Sequence, residues 1–157
     1  MTSINFTTQD IIFMKSAVKE AEKASSEGEV PVGAVIVKDG KIIAEGRNRR
    51  EKGKNALYHA EIEAIDNACK ALGGWRLPGC TLYVTLEPCP MCAGAIINSR
   101  IERVVYGAKD YKAGSAESVI NLFALPYNHK PEIIGGVLEN ECGEMLSSFF
   151  KTLRKKI

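Results

Sequence analysis

The sequence lacks any apolar run approaching the roughly 18 residues of a membrane span. It also lacks a basic, apolar leader at its N-terminus, internal repeats and low-complexity segments. These absences argue against a transmembrane protein and predict a cytoplasmic protein with no membrane partner. In such a reducing compartment, the five cysteines are expected to be thiols or metal ligands rather than disulfides.

What is present is the composition of an ordinary globular protein. Hydrophobic residues make up 45% of the 157 residues and charged residues 25%, which is average for soluble folded proteins. This composition argues against disorder, collagen-like repeats and disulfide-dense miniproteins. The length predicts a single domain over residues 1–157.

Hydrophobic periodicity predicts alternating helices and strands. Helices are predicted at residues 8–27, 59–72, 90–99, 117–125 and 140–155, and strands at 31–37, 41–46, 81–86, 102–107 and 132–138. Strands that alternate with helices form βαβ units. We therefore expect an α/β fold of three layers, in which helices cover both faces of a five-stranded mixed sheet. Ligands of such sheets bind beyond the carboxyl ends of the strands, which points to the residues after 81–86.

Two short motifs at predicted helix starts carry metal chemistry. Cys89 and Cys92 stand three residues apart, and His59 lies thirty residues before Cys89, with Glu61 close behind it. The positive end of a helix lowers the pKa of thiols and favours the thiolates that metals bind. Two cysteines and one histidine leave one position of a tetrahedral zinc ion open, as in catalytic sites. Glu61 has the chemistry to take a proton from a zinc-activated water.

Two other uses of this cysteine pair remain open. A CxxC pair can be a redox pair, or one half of a structural zinc site closed by four protein ligands. The remaining candidates for a fourth ligand are poor, because Cys69 and Cys142 lie on apolar helical stripes, Cys80 precedes a strand and His129 stands alone in a loop. The pairing of His-x-Glu with Pro-Cys-x-x-Cys favours catalytic zinc.

The segments around these motifs resemble the zinc-dependent nucleoside and base deaminases. Nearly the whole chain is similar to the bacterial tRNA-specific adenosine deaminases. The matching segments are VPVGAV at 30–35, HAE at 59–61, TLEPCPMCAG at 85–94, VVYGA at 104–108 and GGV at 135–137, together with Asn48 and Ser99-Arg100. The segments at 30–35 and 85–94 are more specific than the zinc motif, which cytidine, cytosine and guanine deaminases share.

The resemblance implies a cytidine deaminase-like fold and hydrolytic deamination of the wobble adenosine in a tRNA anticodon to inosine. It implies that one Zn²⁺ per chain is held by His59, Cys89 and Cys92, and that Glu61 carries protons between a zinc-activated water and the substrate. It also implies a homodimer whose partner is the tRNA anticodon stem-loop. Substrate contacts are expected at Asn48, Val32, Ala60, Leu86, Asp110, Lys112, Asn128 and Phe149.

Several of these positions have ordinary structural alternatives. Asn48 also suits a turn at the end of a strand, and Val32 and Leu86 also suit strand core. Phe149 and Phe150 belong to a helical apolar repeat, so core packing is expected for at least one of them. The chain departs from the family at Tyr58, where a small residue is usual, and at 115–117, where Ser-Ala-Glu replaces a more glycine-rich segment.

Charge is concentrated in two basic segments. Residues 47–54 and 151–156 each carry a net charge of +4, so the rest of the chain carries −6 against a total of +2. Such segments suit the phosphates of RNA, and they equally suit a solvated loop and tail. Two alternative functions remain open: a deaminase of a free base or nucleoside (guanine, cytosine or cytidine), and a non-catalytic zinc module that binds RNA.

Overall fold

The computed structural model describes residues 6–155. Its helices are α1 (Thr8–Ser26), α2 (Ala60–Leu72), α3 (Pro90–Ser99) and α4 (Glu139–Lys155). Its strands are β1 (Gly33–Lys38), β2 (Lys41–Arg47), β3 (Cys80–Leu86), β4 (Arg103–Ala108) and β5 (Glu132–Gly135). Among these described residues, no helix combines the length and apolarity needed to cross a membrane.

The strands form one mixed sheet in the order β2-β1-β3-β4-β5. β1 runs antiparallel to β2 and β3, whereas β3, β4 and β5 run parallel to one another. Side chains from α2 and α3 pack in one apolar core, and side chains from α1 and α4 pack in a second core. Because successive strand residues face opposite sides of a sheet, the two cores lie on its two faces. The predicted five-stranded, three-layer α/β fold is confirmed.

Helix α2 packs close to the sheet. The residues that α2 turns inward are the alanines Ala60, Ala64 and Ala68, all fully buried. They approach the sheet at Gly46, where an added Cβ would lie 2.3 Å from the carbonyl oxygen of Ala60 and 2.6 Å from the nitrogen of Ala64. Small residues on both sides therefore set the height of the start of α2 above the sheet.

The prediction of a helix at 117–125 is wrong. Only Leu122–Ala124 form a helical turn, of the 3-10 type, capped by the side chain of Asn121. The amide of Leu122 donates to the carbonyl of Ser115 rather than to a residue one helical turn back. The preceding amides, from Ala116 to Ser118, donate to the buried carboxylate of Glu87. These long-range hydrogen bonds satisfy the backbone without a helix, so tertiary contacts override the local pattern.

The fifth strand is three residues shorter than predicted, ending at Gly135 instead of at residue 138. Gly136 and Leu138 both have positive φ angles, of 90° and 55°. A left-handed backbone cannot continue an extended strand, so the chain turns there into α4.

Candidate active site

Three residues at the ends of neighbouring strands lie in a row at one edge of the sheet: Val32 directly before β1, Asn48 directly after β2, and Leu86 at the end of β3. The β1–β3 register pairs Ala34 with Val84 and, continued by two residues, brings Val32 opposite Leu86. On the other side of Val32, the amide of Asn48 donates a 3.1 Å hydrogen bond to the Val32 carbonyl. The carboxyl ends of β3 and β4 reach this same edge, which is the edge where the rule for α/β sheets places a ligand.

The predicted metal ligands meet at this edge. His59 is the N-cap of α2 and Cys89 is the N-cap of α3, and neither side chain makes a capping hydrogen bond. Both side chains are therefore free to face the gap between the two helix starts. His59 Nδ1 lies 3.6 Å from Cys89 Sγ and 3.5 Å from Cys92 Sγ.

These separations fit a tetrahedral zinc ion. Zinc–sulfur bonds of about 2.3 Å and zinc–nitrogen bonds of about 2.0–2.1 Å at a tetrahedral angle place the two ligand atoms about 3.6 Å apart. All three ligand atoms lie within 4.8 Å of one another. Within residues 6–155, no other histidine, cysteine or acidic side chain joins this group as a fourth ligand. Three ligands without a fourth match an open, catalytic site rather than a closed structural one.

The other cysteines do not approach this group. Cys80 and Cys142 are buried and Cys69 is half-buried, all as free thiols. His129 is engaged elsewhere, with its Nε2 2.6 Å from the carbonyl oxygen of Ile101. None of these four residues belongs to the group of His59, Cys89 and Cys92.

The charges of the two thiols are unequal. A hydrogen bond from Cys92 and a second one from His59 lower the pKa of Cys89 to about 4. The same contact raises the pKa of Cys92, and the hydrogen bond to Cys89 raises the pKa of His59. The site thus stabilises a thiolate at neutral pH, which is the form that binds a metal.

Glu61 lies beside the ligands on the first turn of α2. Its side chain is buried, and burial raises its pKa to about 7. A carboxyl group with a pKa near the working pH can both accept and donate a proton, as a general acid–base requires.

A cavity of about 530 Å³ opens over this group. His59, Glu61 and Cys89 form part of its wall, and Cys92 is buried behind them. Six predicted substrate residues also line it: Val32, Asn48, Ala60, Leu86, Asp110 and Lys112. Two predicted contacts, Asn128 and Phe149, do not line the cavity. Asn128 is exposed and Phe149 is half-buried.

Asn48 makes the contacts of the turn role predicted for it. Its side-chain oxygen accepts from the amide of Arg50 at 3.1 Å, and its Nδ2 donates to the carbonyl of Val30 at 3.2 Å. This is the turn role. Because a side-chain amide carries two N–H donors, one donor of Asn48 is left for a molecule in the cavity.

The second wall of the cavity is the segment 109–113, which follows β4. Asp110 shapes it, because its Oδ1 accepts from the amides of Lys112 and Ala113 at 3.0 and 3.2 Å. The amide of Asp110 itself donates to Glu87, at 3.0 Å.

Sequence reasoning missed several lining residues. Phe150 and Leu146, four residues apart on α4, line the cavity in place of Phe149, whose ring packs edge-on against Phe150 at 5.5 Å. Residues four apart lie on the same face of a helix, and this spacing is the signal from which both could have been predicted. Glu87 and Tyr111 also line the cavity, and Glu87 stands beside the cysteine motif in the sequence.

The first basic segment is largely neutralised by nearby acids. Arg47 pairs with Glu27 at 2.8 Å, Arg49 with Glu63 at 2.7 Å and Lys52 with Glu27 at 3.5 Å. Arg50 lines the cavity, and within the described chain no acid lies within ion-pair distance of it. The second basic segment lies on the exposed end of α4, and its Lys156 falls outside the described residues.

Comparison with known proteins identifies the family. Residues 8–154 match the MafB19-like deaminases. A tRNA-specific adenosine deaminase of Bacillus subtilis (strain 168) is 58% identical over 150 residues, which cover 95% of this chain and 93% of that protein. The chain belongs to the tRNA-specific adenosine deaminase family.

Further comparisons extend the similarity to the fold. A tRNA-specific adenosine deaminase of Agrobacterium fabrum (strain C58 / ATCC 33970) is 48% identical to this deaminase over 143 residues, which cover 90% of this chain and 94% of that one. A structure solved in work on A-to-I editing by tRNA:A34 deaminases at the wobble position of transfer RNA superposes with a TM-score of 0.83. It is 48% identical and covers 86% of this chain and 99% of its own. The predicted cytidine deaminase-like fold is thereby confirmed.

The two departures of this deaminase from its family flank the site. Tyr58, directly before His59, is 45% exposed, and its ring covers Gly53, where an added Cβ would lie 2.2 Å from Tyr58 Cδ2. Glu117 accepts a short hydrogen bond from the buried hydroxyl of Tyr106. One departure thus adds an exposed ring beside a metal ligand, and the other ties the segment after the cavity wall to β4.

Proposed function

We propose that this deaminase converts the wobble adenosine of a tRNA anticodon to inosine, releasing ammonia. The observation that carries the proposal is the convergence of the His59–Cys89–Cys92 group, Glu61 and six predicted substrate residues on one cavity. The 58% identity to a tRNA-specific adenosine deaminase supports the same substrate.

The ligand group would hold one zinc ion per chain. When bound by three protein ligands, zinc lowers the pKa of a coordinated water from about 15.7 to about 7. Glu61 would take the first proton of the attacking water and pass it to a ring nitrogen of the base. It would then carry the second proton of that water to the amino group, which leaves as ammonia. Its pKa of about 7 suits both transfers.

The cavity would receive a single base that has left its stack. In the row Leu86, Val32 and Asn48, the first two residues offer apolar contacts to the base. The free Nδ2 hydrogen of Asn48 would bind the nucleoside. The amide of Ala60, as the first residue of α2, has no acceptor within its helix and is available to an acceptor on the base.

RNA outside the cavity would contact its rim. Arg50, Lys109 and Lys112 line the cavity together, and their charges suit the phosphates on either side of the extruded nucleotide. The half-exposed ring of Phe150 offers a surface on which a neighbouring base can stack. Asp110 acts mainly by shaping the segment that carries Lys112.

We further propose that the deaminase is a cytoplasmic homodimer in which the single domain of each chain performs both recognition and catalysis. Large apolar side chains are exposed along the segment between β4 and β5, namely Val119, Ile120, Leu125 and Tyr127. Exposed apolar residues in such a group are typical of an interface. Light scattering of the purified chain tests the dimer, and a monomer at micromolar concentration would contradict it.

The proposed function is tested with an anticodon stem-loop that carries adenosine at the wobble position. Nucleosides released by complete digestion are separated after incubation, and we expect inosine to replace that one adenosine. A chelator should abolish the conversion, and added zinc should restore it. The matched control is the same stem-loop with adenosine only at a neighbouring position.

Free adenosine, guanine, cytosine and cytidine are assayed alongside. Turnover of a free base or nucleoside without turnover of the stem-loop would replace the proposal with the smaller substrate. Zinc-dependent binding of the stem-loop without any inosine would instead indicate a non-catalytic module.

A further inference from the structure

Glu87 is a buried carboxylate with an unusual set of partners. Its side chain is 2% exposed and accepts four backbone amides: Asp110 on Oε1 at 3.0 Å, and Ala116, Glu117 and Ser118 on Oε2 at 3.1, 2.8 and 2.9 Å. The hydroxyl of Ser118 also donates to Oε1. No cation of the described chain pairs with this carboxylate.

All five hydrogen bonds come from one stretch of chain, residues 109–118, which we call the 109–118 loop. A buried charge is tolerated only when its hydrogen bonds are satisfied. Ionised Glu87 therefore requires the loop to be closed around it, and the loop in turn has few other acceptors for these amides. Carboxylate and loop stabilise each other as one unit.

The same unit is joined to the cysteine motif. Glu87 directly precedes Pro88, whose carbonyl accepts the amide of Ser115 at 2.8 Å. Gly114 sits against the carboxylate so closely that an added Cβ would lie 2.4 Å from Glu87 Cδ. Cys89 follows Pro88 directly. The 109–118 loop is therefore hydrogen-bonded to the two residues that precede Cys89–Cys92, which we call the metal-ligand turn.

The first half of the loop forms a wall of the cavity, with Lys109, Asp110 and Lys112 among the lining residues. Packing contributes little to the position of this half, since Tyr111 and Lys112 are exposed. The position of these lining residues over the ligand group therefore depends on Glu87.

We propose that Glu87 is a positioning residue for the RNA substrate, which holds the 109–118 loop in register with the metal-ligand turn. The inference rests on the proposed function, since it concerns RNA at the same cavity. Glu87 acts through the loop and does not touch the reacting atoms. Its removal should therefore weaken stem-loop binding more than it slows the chemical step.

The sharpest variant is Glu87→Gln. The amide keeps the shape of the side chain but replaces one accepting oxygen with an N–H₂ group, which is a donor only. In either orientation the N–H₂ group faces at least one backbone N–H and cannot accept its hydrogen bond. In the orientation that loses fewer of these bonds, it faces the amide of Asp110 alone. The variant thus releases the end of the loop that lines the cavity and leaves the other three amides bound.

Four quantities are measured on zinc-loaded wild type and variant: zinc per chain, kcat, KM for the anticodon stem-loop, and amide hydrogen exchange by NMR. We expect Glu87→Gln to keep its zinc, to exchange the Asp110 amide faster and to raise KM about tenfold, with a much smaller change in kcat. Ser118→Ala is the matched control, because it removes one donor to Glu87 and keeps every backbone amide. Its KM should stay close to that of wild type.

An unchanged exchange rate at Asp110, or an unchanged KM, overturns the proposal. Loss of zinc with an equal fall in kcat would also overturn it, by assigning Glu87 to the metal turn alone. If Glu87→Gln does not fold, Gly114→Ala keeps the carboxylate in the chain but forces it and the loop apart, because the added Cβ would lie 2.4 Å from Glu87 Cδ. Faster exchange with an unchanged KM in that variant would then refute the role in binding.

Failure of the proposed function has a different signature. Wild type would then leave the stem-loop unconverted, whereas the exchange measurement at Asp110 would still report whether Glu87 holds the loop.

Discussion

Asp10 and Arg103 lie 93 residues apart in the sequence and face each other through two parallel hydrogen bonds of 2.7 Å. The hydroxyl of Tyr83 donates to the same carboxylate at 2.7 Å. The pair therefore joins the start of α1 to β3 and β4. Burial raises the pKa of Asp10, but the hydrogen bonds from Arg103, Thr7 and Tyr83 outweigh it and hold that pKa well below its usual range.

Replacing Asp10 with asparagine should lower the free energy of unfolding at neutral pH by about 3 kcal/mol, because Arg103 and Tyr83 lose a buried partner. A carboxyl group whose pKa is lower in the folded state stabilises the fold above its unfolded pKa of about 3.9 and loses this effect as the pH falls. The difference between wild type and Asp10→Asn, measured by urea denaturation, should therefore begin to shrink below about pH 5 and continue to shrink to about pH 3 and lower.

Asp66→Asn is the control for this prediction. Asp66 pairs with Lys70 at 3.0 Å on the exposed side of α2, where ion pairs contribute little. Its stability curve should follow that of wild type at every pH. A constant difference between wild type and Asp10→Asn over the whole range would show that the lost contribution is packing rather than charge.

Glu61→Gln should bind zinc normally and lose at least about 100-fold in kcat, because the amide cannot transfer the proton. Turnover of the stem-loop and zinc per chain are measured together. Glu63→Gln, two positions along the same helix, removes the carboxylate that pairs with Arg49 and should retain most activity. Comparable turnover in the two variants would exclude Glu61 as the proton carrier.

Cys92→Ala should lose the metal and unfold at a lower temperature, because metal binding and folding are coupled. Elemental analysis of the purified chain and a thermal melt check both effects. Cys69→Ala removes a half-buried thiol outside the ligand group and should keep one zinc ion per chain. Full occupancy in Cys92→Ala would mean that the ligand set is different.

Arg50→Ala should weaken stem-loop binding and reduce the slope of log K against log salt by about one. Arg50 lines the cavity, whereas Arg49 is already paired with Glu63 at 2.7 Å. Arg49→Ala should therefore change the slope less. Equal slopes for wild type and Arg50→Ala would indicate that the whole basic segment is ordinary solvated surface and does not bind RNA.

Much of the fold could be predicted because it is encoded locally. The alternation of apolar strands with helices acts within a few residues. So do the turn at Asp39 and Gly40, which joins β1 to β2, and Gly73, whose left-handed backbone ends α2. The error at 117–125 has the opposite origin. Glu87, some thirty residues earlier, supplies the acceptors for that segment, and no local pattern announces such a partner.

The candidate site divides in the same way. The meeting of His59, Cys89 and Cys92 was predictable because a metal requires particular atoms at particular spacings. The neutralisation of Arg47 by Glu27 was not, because it depends on two segments meeting in space. Phe149 and Phe150 show the limit most plainly, since adjacent residues of a helix differ by about 100° and periodicity alone did not select Phe150.

Gly46 lies outside the site, yet a substitution there would disturb it. A methyl group there would meet the carbonyl of Ala60 at 2.3 Å, and α2 would have to rise from the sheet. His59 and Glu61 stand on either side of Ala60, so the helix start would carry both away from Cys89 and Cys92, which belong to another helix. A harmless-looking alanine in an edge strand would then act as an inactivating mutation, visible first as lost metal.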